Sequence, residues 1–302
     1  MTASKRVKLV AVAVLVALVG AAAAAIISEY QRKKVNAPQA APTALPGASK
    51  IWMISSSAYG LLSSSTSGQA LAQKFFDSSR SIIVVGSRNT QSYGGASLAF
   101  YFTGFADFKA KTSIAATSGA EYAVFDDENW KYTPPAEQKN TDLYFQKFSN
   151  LAQQYGLKVI ASPSPDLANA LPRKTSYLYS DYLSDTIAGS AAKWSDVFDI
   201  QAQGLQSDPQ KYASFVAAVA QQVKKINPGI EVIASLSTNP SSHAISPQTL
   251  LDDVRLTAGT VDGYWLNIPQ KSACPSCGAT DPQAAVRLLS LIEKENPSLM
   301  PN

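Results

Sequence analysis

Cysteine and histidine are scarce in this chain of 302 residues, which has two cysteines and one histidine. Two cysteines cannot build a multiply crosslinked disulfide scaffold, and with a single histidine they cannot form a zinc module of several Cys and His ligands. Charged residues make up only 16% of the chain, whereas hydrophobic residues make up 46%. This is globular composition, which argues against disorder over most of the length.

Several short motifs of known chemistry are also absent. The sequence contains no G-x-G-x-x-G or Walker loop for a nucleotide phosphate, and no G-x-S-x-G around a nucleophilic serine. The single His243 follows a predicted strand, and we interpret it as a surface loop residue because no nucleophile motif accompanies it. The sequence therefore predicts no cofactor and no metal site.

The excess of positive charge is confined to the amino-terminal end. The formal net charge is +4, from 26 basic and 22 acidic residues. Residues 1–50 hold seven of the basic residues and one acid, Glu29, which leaves 19 basic and 21 acidic residues in 51–302. The larger part of the chain is slightly acidic, so the sequence argues against nucleic-acid binding.

The first 34 residues carry a long apolar segment. Three basic residues precede residues 9–27, a run of 19 uncharged residues made of Leu, Val, Ala, Ile and one Gly. About 20 apolar residues suffice for a helix to cross a bilayer, and the apolar stretch of a secretory signal is shorter. We therefore predict that residues 1–34 form a membrane anchor. Small residues at 21–25 leave a cleaved signal peptide as the alternative.

Residues 35–50 predict a linker, because three prolines interrupt small residues without any periodicity. The remaining residues, 51–302, have the length of one large domain. The free amino terminus and Glu29 favour an orientation with the amino terminus inside the cell. The predicted location is the cell membrane, as a single-pass protein with an extracytoplasmic domain, or outside the cell if the signal is cleaved.

Short apolar runs alternate with amphipathic segments throughout 51–302. Alternating strands and helices indicate a parallel sheet with crossover helices. Predicted strands occupy 81–86, 121–126, 157–162, 196–203, 230–235 and 261–268, with a seventh at 51–55. Predicted helices occupy 141–155, 208–226, 247–256 and 281–295.

Two parallel architectures fit this order, a doubly wound sheet and a (β/α)8 TIM barrel. The barrel is favoured because no phosphate loop follows the first strand and because polar residues gather where the strands end, which is where barrels carry their sites. An eighth strand would have to lie within 88–120, the least regular part, unless the barrel is irregular or incomplete. The predicted fold class is α/β, TIM-barrel-like.

Alternation along the strands predicts which side chains point into the barrel. In 196–203, Phe198 and Ile200 belong to the outward, helix-facing side, so the intervening polar residues face inward. The same reasoning directs Asp127 away from the cavity. The residues predicted to converge at one mouth are Asp126, Glu128, Asp199, Gln201, Gln203, Trp265 and Asn267. The alternative interpretation is that these polar residues cap helices or bind water.

These residues carry a family resemblance. Asp126-x-Glu128 at a strand end and Val261-Asp-Gly-Tyr-Trp-Leu-Asn267 in the last strand resemble TIM barrels of the glycoside-hydrolase type. The domain predicted at residues 51–302 also resembles glycosidase-like barrel domains of extracytoplasmic actinobacterial proteins. In the chitinase-like family, D-x-x-D-x-D-x-E ends a barrel strand; Val124 stands here in place of the next upstream Asp. The resemblance implies a carbohydrate ligand or substrate.

The resemblance also implies roles for individual residues. It implies that Glu128 is the acid, that Asp126 orients the substrate, and that Trp265 lies beneath a sugar ring. Glycoside hydrolysis generally needs two carboxyl groups, so the candidate catalytic pairs are Glu128 with Asp199 and Glu128 with Asp126. Trp130 is either a second stacking surface or a packing residue.

Three other segments receive local predictions. Cys274 and Cys277 form a lone C-x-x-C, which outside the membrane indicates a local disulfide near the mouth. Ser55-Ser-Ser57 is predicted to be loop, and Gly94-Gly95 a turn near the mouth. Three functions remain open: a carbohydrate-active hydrolase, a non-catalytic glycan- or envelope-binding barrel, and a structural envelope protein without a cleft.

Overall fold

The computed structural model describes residues 49–86, 92–117, 119–172, 174–240, 244–272 and 274–301. The predicted anchor, nearly all of the predicted linker and His243 lie outside these residues. Within them, no helix has the length and apolar character needed to cross a membrane.

Eight parallel strands close into a barrel in chain order, which confirms the predicted TIM-barrel fold. Strand β1 pairs with both β2 and β8, so the sheet has no free edge. The strand that the sequence left unassigned is Ser97–Phe102, inside the interval predicted to contain it. The strands are β1 Ile51–Ser55, β2 Ser81–Val85, β3 Ser97–Phe102, β4 Tyr122–Phe125, β5 Lys158–Ala161, β6 Val197–Ile200, β7 Glu231–Ser237 and β8 Gly263–Asn267.

Helices surround the barrel and follow most of the strands. The α-helices are α1 Ser56–Leu62, α2 Thr66–Phe76, α3 Phe105–Thr117, α4 Pro135–Gln138, α5 Thr141–Gln154, α6 Leu178–Ser184, α7 Ile187–Ala192, α8 Pro209–Ile226, α9 Pro247–Thr257 and α10 Pro282–Glu295. Three short 3-10 helices are η1 Pro165–Ala170, η2 Gln203–Leu205 and η3 Pro297–Leu299.

Three long helices begin with the same local device. Asp208, Ser246 and Asp281 each accept a hydrogen bond from a backbone N–H in the first turn, at 3.2, 3.0 and 3.0 Å. A proline follows each cap and needs no hydrogen-bond partner at that position. These caps lie at the starts of the helices predicted over 208–226, 247–256 and 281–295.

Side-chain alternation divides the core into two parts, as predicted. Phe125, Phe198, Ile200 and Tyr264 pack outward against the helices. A smaller cluster fills the barrel interior below the mouth, and it comprises Ile51, Met53, Ile82, Val84, Ala99, Val124, Ile160, Val197, Ile233 and Trp265. Because apolar side chains fill the lower interior, only the layer above them is open for polar groups.

Barrel closure depends on a glycine where β8 meets β1. A Cβ atom on Gly263 would lie 2.1 Å from the Ile51 carbonyl oxygen, so a larger residue would force the two strands apart. Lys50 reinforces this end by donating to the carbonyls of Ala258 and Val261 at 2.7 and 2.6 Å.

Three local predictions are corrected by the structure. Ser55 caps α1 and Ser56 and Ser57 form its first turn, because the Ser55 hydroxyl accepts from the Ala58 N–H at 3.1 Å. Strand β6 ends at Ile200, and Gln203 belongs to η2. Gly94-Gly95 is a turn but lies at the opposite end from the mouth, where the Gly95 N–H donates to Asp77 at 2.6 Å just before β2 begins.

Candidate active site

A cavity of about 500 Å³ opens at the carboxyl ends of the strands. This volume is in the usual range for small-ligand sites. Seven of the residues predicted to converge border it: Asp126, Glu128, Asp199, Gln201, Gln203, Trp265 and Asn267. Ser55, Ser56, Ser57 and Tyr101 add hydroxyl groups to the wall. No lysine or arginine is among the described residues that border it.

Asp126 follows β4 and is held by a residue of β3 and by one that follows β6. Its Oδ2 accepts from the Tyr101 hydroxyl at 2.5 Å, and its Oδ1 accepts from the Gln201 amide at 2.8 Å. Burial raises the pKa of Asp126, while these hydrogen bonds stabilise the carboxylate and lower the pKa in part. Asp126 is the best-supported carboxylate on the cavity wall.

Glu128 lies two residues further along the same chain segment and is partly exposed. Burial, and then the nearby Asp126 and Asp166 carboxyls, raise the pKa of Glu128 well above its usual range. The Gln201 amide opposes this shift in part. The pKa of Glu128 lies above that of Asp126, so Glu128 is the one of the two that keeps its proton at neutral pH. This is the state that a proton donor needs.

Asp199 lies deeper, on β6, and is fully buried. The Ser162 hydroxyl donates to its Oδ2 at 2.8 Å, and the Ser235 hydroxyl donates to both carboxyl oxygens at 2.9 Å. Burial raises the pKa of Asp199 to about 7, against the opposing effect of these hydroxyls. Asp199 has no exposed surface, whereas Asp126 keeps a small exposed fraction, so Asp199 fits a positioning residue beneath the cavity better than a group that contacts a ligand.

A hydrogen-bond chain joins the two aspartates. The Gln201 amide donates to Asp126 and also to the Ser162 hydroxyl, at 3.1 Å, and Ser162 in turn donates to Asp199. The ends of β4, β5 and β6 are thereby connected, and the orientation of Asp126 depends on the buried group below it.

Trp265 forms part of the cavity floor and is only 7% exposed. Its ring packs in the inner apolar cluster, and its indole N–H has no hydrogen-bond partner in the described part of the chain. A ligand can therefore contact only a small part of this ring. Gln203 and Asn267 are partly exposed at the rim and offer amide groups to a ligand.

Trp130 is the predicted site residue that does not border this cavity. Its indole N–H donates to the Thr133 hydroxyl at 2.7 Å, and its ring packs edge-on against Tyr132. This hydrogen bond holds the ring within the loop after β4, so the prediction of a stacking surface in the cavity is not supported.

Asp127 points away from the cavity, as predicted, but it has no partner on the helix side. It is fully buried, and neither carboxyl oxygen has a hydrogen-bond partner among the described residues. Burial, and then the Glu137 carboxyl, raise the pKa of Asp127 to about 8. Asp127 is therefore a neutral buried acid at neutral pH.

Sequence reasoning missed Tyr101, Ser162 and Ser235 as partners of the carboxyls. Tyr101 lies on β3, whose alternation of outward Leu98 and Phe100 with inward Ala99 and Tyr101 was the available signal. The two serines lie on the inward faces of strands that were predicted, but nothing in a one-dimensional pattern shows that they reach Asp199.

Two further findings concern the disulfide and possible metal sites. The structure joins Cys274 and Cys277 in a disulfide with an S–S distance of 2.02 Å. In the described part of the chain, no group of three or more His, Cys, Asp or Glu side chains is arranged to hold a metal ion.

Comparisons with known proteins recover the fold alone. No family model matches this chain, and no curated protein matches it. A sugar phosphate isomerase/epimerase from Parabacteroides distasonis is 11% identical, with 86% of this chain and 99% of that chain covered and a TM-score of 0.46. A triosephosphate isomerase from Bartonella henselae is 11% identical, with 82% and 100% covered and a TM-score of 0.46.

A glycoside hydrolase family 17 β-1,3-glucanosyltransferase from Rhizomucor miehei is also similar, at 11% identity, with 61% of this chain and 74% of that chain covered and a TM-score of 0.37. These proteins differ in activity, and a likeness this distant says nothing about chemistry.

Proposed function

We propose that this barrel is a carbohydrate-active hydrolase in which Glu128 is the general acid and Asp126 is its carboxylate partner. The observation that carries the proposal is the contrast between these two groups on one cavity wall. Glu128 has its pKa raised by burial and by the neighbouring acids, whereas Asp126 accepts hydrogen bonds from Tyr101 and Gln201. Two carboxyls in different environments are what glycoside hydrolysis requires.

The proposed reaction follows from these protonation states. Neutral Glu128 gives its proton to the glycosidic oxygen as the bond from that oxygen to the anomeric carbon breaks. Ionised Asp126 either bonds to the anomeric carbon or takes a proton from an attacking water. If Asp126 bonds to the anomeric carbon, ionised Glu128 then takes a proton from the water that releases the sugar. Asp199 holds Asp126 in place through Ser162 and Gln201.

Neutral, hydroxyl-rich ligands suit the remaining wall. Serine hydroxyls at the start of α1 and the amides of Gln203 and Asn267 both donate and accept hydrogen bonds, as sugar hydroxyls do. The proposed setting is extracytoplasmic, with a membrane anchor or a cleaved signal in residues 1–34. The Cys274–Cys277 disulfide fits an oxidising compartment.

A second candidate is a glycan-binding barrel without catalysis. Both oxygens of Asp126 are already engaged, by Tyr101 and Gln201. Amides, rather than acids, also occupy positions 201 and 203 on the wall. Such a site would hold sugars through the same rim groups without breaking a bond.

The deciding experiment measures binding and turnover of a panel of envelope glycans by the full-length protein and by Glu128→Gln. A hydrolase loses turnover in Glu128→Gln by about 100-fold or more and keeps binding. The control is Glu121→Gln, since Glu121 lies at the other end of β4 and accepts from Ser97 at 2.8 Å. Binding without turnover in every protein would favour the glycan-binding barrel, and neither binding nor turnover would refute both.

A further inference from the structure

Two further cavities lie beside the central cavity. Gln201 and Gln203 border the central cavity and also a smaller one of about 190 Å³. Tyr179 borders that smaller cavity and a third one of about 400 Å³. Neighbouring cavities share lining residues, so the three lie side by side outward from the mouth. We call the third cavity, bordered by Tyr177, Tyr179 and Phe215, the tyrosine groove.

The tyrosine groove is built by the connection after β5 and the start of α8. Tyr179 lies in the first turn of α6, and Phe215 lies near the beginning of α8. The chain at η2 passes close beneath Tyr179, since a Cβ atom on Gly204 would lie 2.5 Å from the Tyr179 hydroxyl oxygen. A side chain at position 204 would therefore displace the Tyr179 hydroxyl.

Aromatic rings form a fixed surface in this groove. The ring of Tyr179 packs edge-on against Phe215, with centroids 4.8 Å apart, and Tyr177 lies 5.7 Å from Tyr179. Tyr177 is 50% exposed although it is a large aromatic side chain. Rings that are held by neighbours and remain open on one side suit flat ligands with an apolar face, such as the C–H face of a pyranose.

The charges in the tyrosine groove are already compensated. Asp208 and Lys211 form an ion pair at 3.0 Å within its wall. The described residues that border the groove therefore offer no unpaired charge to an anionic ligand, whereas Gln210 and Ser214 provide neutral hydrogen-bonding groups. This combination favours a neutral polyhydroxylated chain over a phosphate or a charged peptide.

We infer that the site takes an oligosaccharide chain, with one part in the central cavity and the following sugar units along Gln203 and Tyr179 into the tyrosine groove. The inference rests on the proposed function and specifies its substrate class: extended glycan chains rather than simple glycosides. The rings of Tyr179 and Tyr177 contribute binding to the distant units and none to the unit beside Glu128.

The test measures dissociation constants for chito- and cello-oligosaccharides, graded from disaccharide to hexasaccharide. The full-length Glu128→Gln protein is used so that bound chains stay intact. We expect affinity to rise with chain length until the tyrosine groove is filled. Adding Tyr179→Ala should weaken the longest bound chain about tenfold and leave the shortest bound chain unchanged. Tyr179→Phe keeps the ring and should retain the gain with length.

Two further variants separate the groove from general effects on the fold. Gly204→Ala, which displaces the Tyr179 ring, should lose part of the gain with length. Tyr155→Ala removes an exposed tyrosine at the carboxyl end of α5, next to the start of β5 and away from the mouth, and should change nothing.

The possible results distinguish a failure of this inference from a failure of the proposed function. Affinity that does not depend on chain length, or a gain that survives Tyr179→Ala, would overturn the inference and leave the proposed function standing. Absence of binding at every length, by the wild-type protein as well, would overturn the proposed function and the inference with it.

Discussion

Buried carboxyl groups occur on both sides of the barrel wall, and they differ in their surroundings. Asp126, Glu128 and Asp199 lie inside, along a cavity. Asp127 and Asp253 lie outside, between strands and helices, and are fully buried. Burial raises the pKa on both sides, to about 8 for Asp127 and for Asp253 and to about 7 for Asp199. A raised pKa therefore does not distinguish the two groups.

The inner carboxyls differ from the outer ones in their access to a ligand and in their hydrogen bonding. The two inner aspartates have hydrogen bonds to every carboxyl oxygen and border open space. On the outer side, the Asp127 carboxyl has no hydrogen-bond partner among the described residues. Within the same residues, Asp253 accepts one hydrogen bond, from Gln206, and its other oxygen has no partner. A perturbed carboxyl is a candidate for chemistry only where a ligand can reach it.

The largest effect is expected from a comparison of two adjacent carboxyls, Asp126 and Asp127, which lie on opposite sides of the barrel wall. Asp126→Asn removes the proposed catalytic carboxylate and should lower kcat by about 100-fold or more. Asp127→Asn changes the adjacent residue on the outer side and should leave kcat within about threefold of wild type. Turnover on a responsive glycan checks both variants. Equal losses in the two would show that the inner and outer groups do not differ functionally.

A second effect concerns stability against pH. The folded chain keeps a proton on Asp127 up to about pH 8, whereas the unfolded chain releases it near the usual carboxyl pKa. The folded state therefore binds more protons in this interval, and its stability falls as pH rises. Asp127→Asn should flatten this fall, with a difference of about 3–4 kcal/mol in the free energy of unfolding between about pH 5 and pH 8.

Chemical denaturation at a series of pH values measures this difference. The control is Asp142→Asn, which changes an exposed carboxyl at the start of α5 and should not alter the slope. A wild-type stability that is constant over this interval would show that Asp127 is ionised in the folded protein or that its burial is relieved in solution.

A smaller effect is expected from Tyr101→Phe. The Tyr101 hydroxyl donates to Asp126 and so stabilises the ionised form; without it, the pKa of Asp126 rises. The acidic limb of the pH–rate profile should move upward by about one unit, with kcat about tenfold lower below the optimum. Tyr122→Phe is the matched control, because Tyr122 packs against the same inner cluster but lies at the start of β4. An unmoved acidic limb would exclude Asp126 as the titrating group.

The smallest effect comes from two serines on one strand face. Ser235→Ala removes the hydroxyl that donates to both oxygens of Asp199 and should lower the free energy of unfolding by about 1–2 kcal/mol. Ser237→Ala removes a buried hydroxyl without a hydrogen-bond partner in the described part of the chain and should be neutral or stabilising. Equal losses in the two would mean that packing, and not the bond to Asp199, dominates.

Much of the candidate site could be predicted because a barrel strand has a strict repeat of two. Once Phe198 and Ile200 were assigned outward, Asp199 and Gln201 had to face inward, and the structure places them there. The sequence left β3 unassigned, although Leu98 and Phe100 on its outward face alternate with Ala99 and Tyr101 on its inward face. Trp130 lies beyond its strand, in a loop whose path depends on the Thr133 hydroxyl bond, so no repeat applies to it.

Local pattern thus accounts for the class of fold, the helix starts at Asp208, Ser246 and Asp281, and the inward direction of the polar residues. Assembly of the barrel accounts for the rest. Register between neighbouring strands places Ser162 and Ser235 on Asp199. Burial raises the pKa of both Asp126 and Glu128, and the hydrogen bonds that Asp126 accepts set its pKa below that of Glu128. Hydrogen bonding across strands and desolvation depend on what lies beside a residue in space, and no order of residues along the chain specifies that directly.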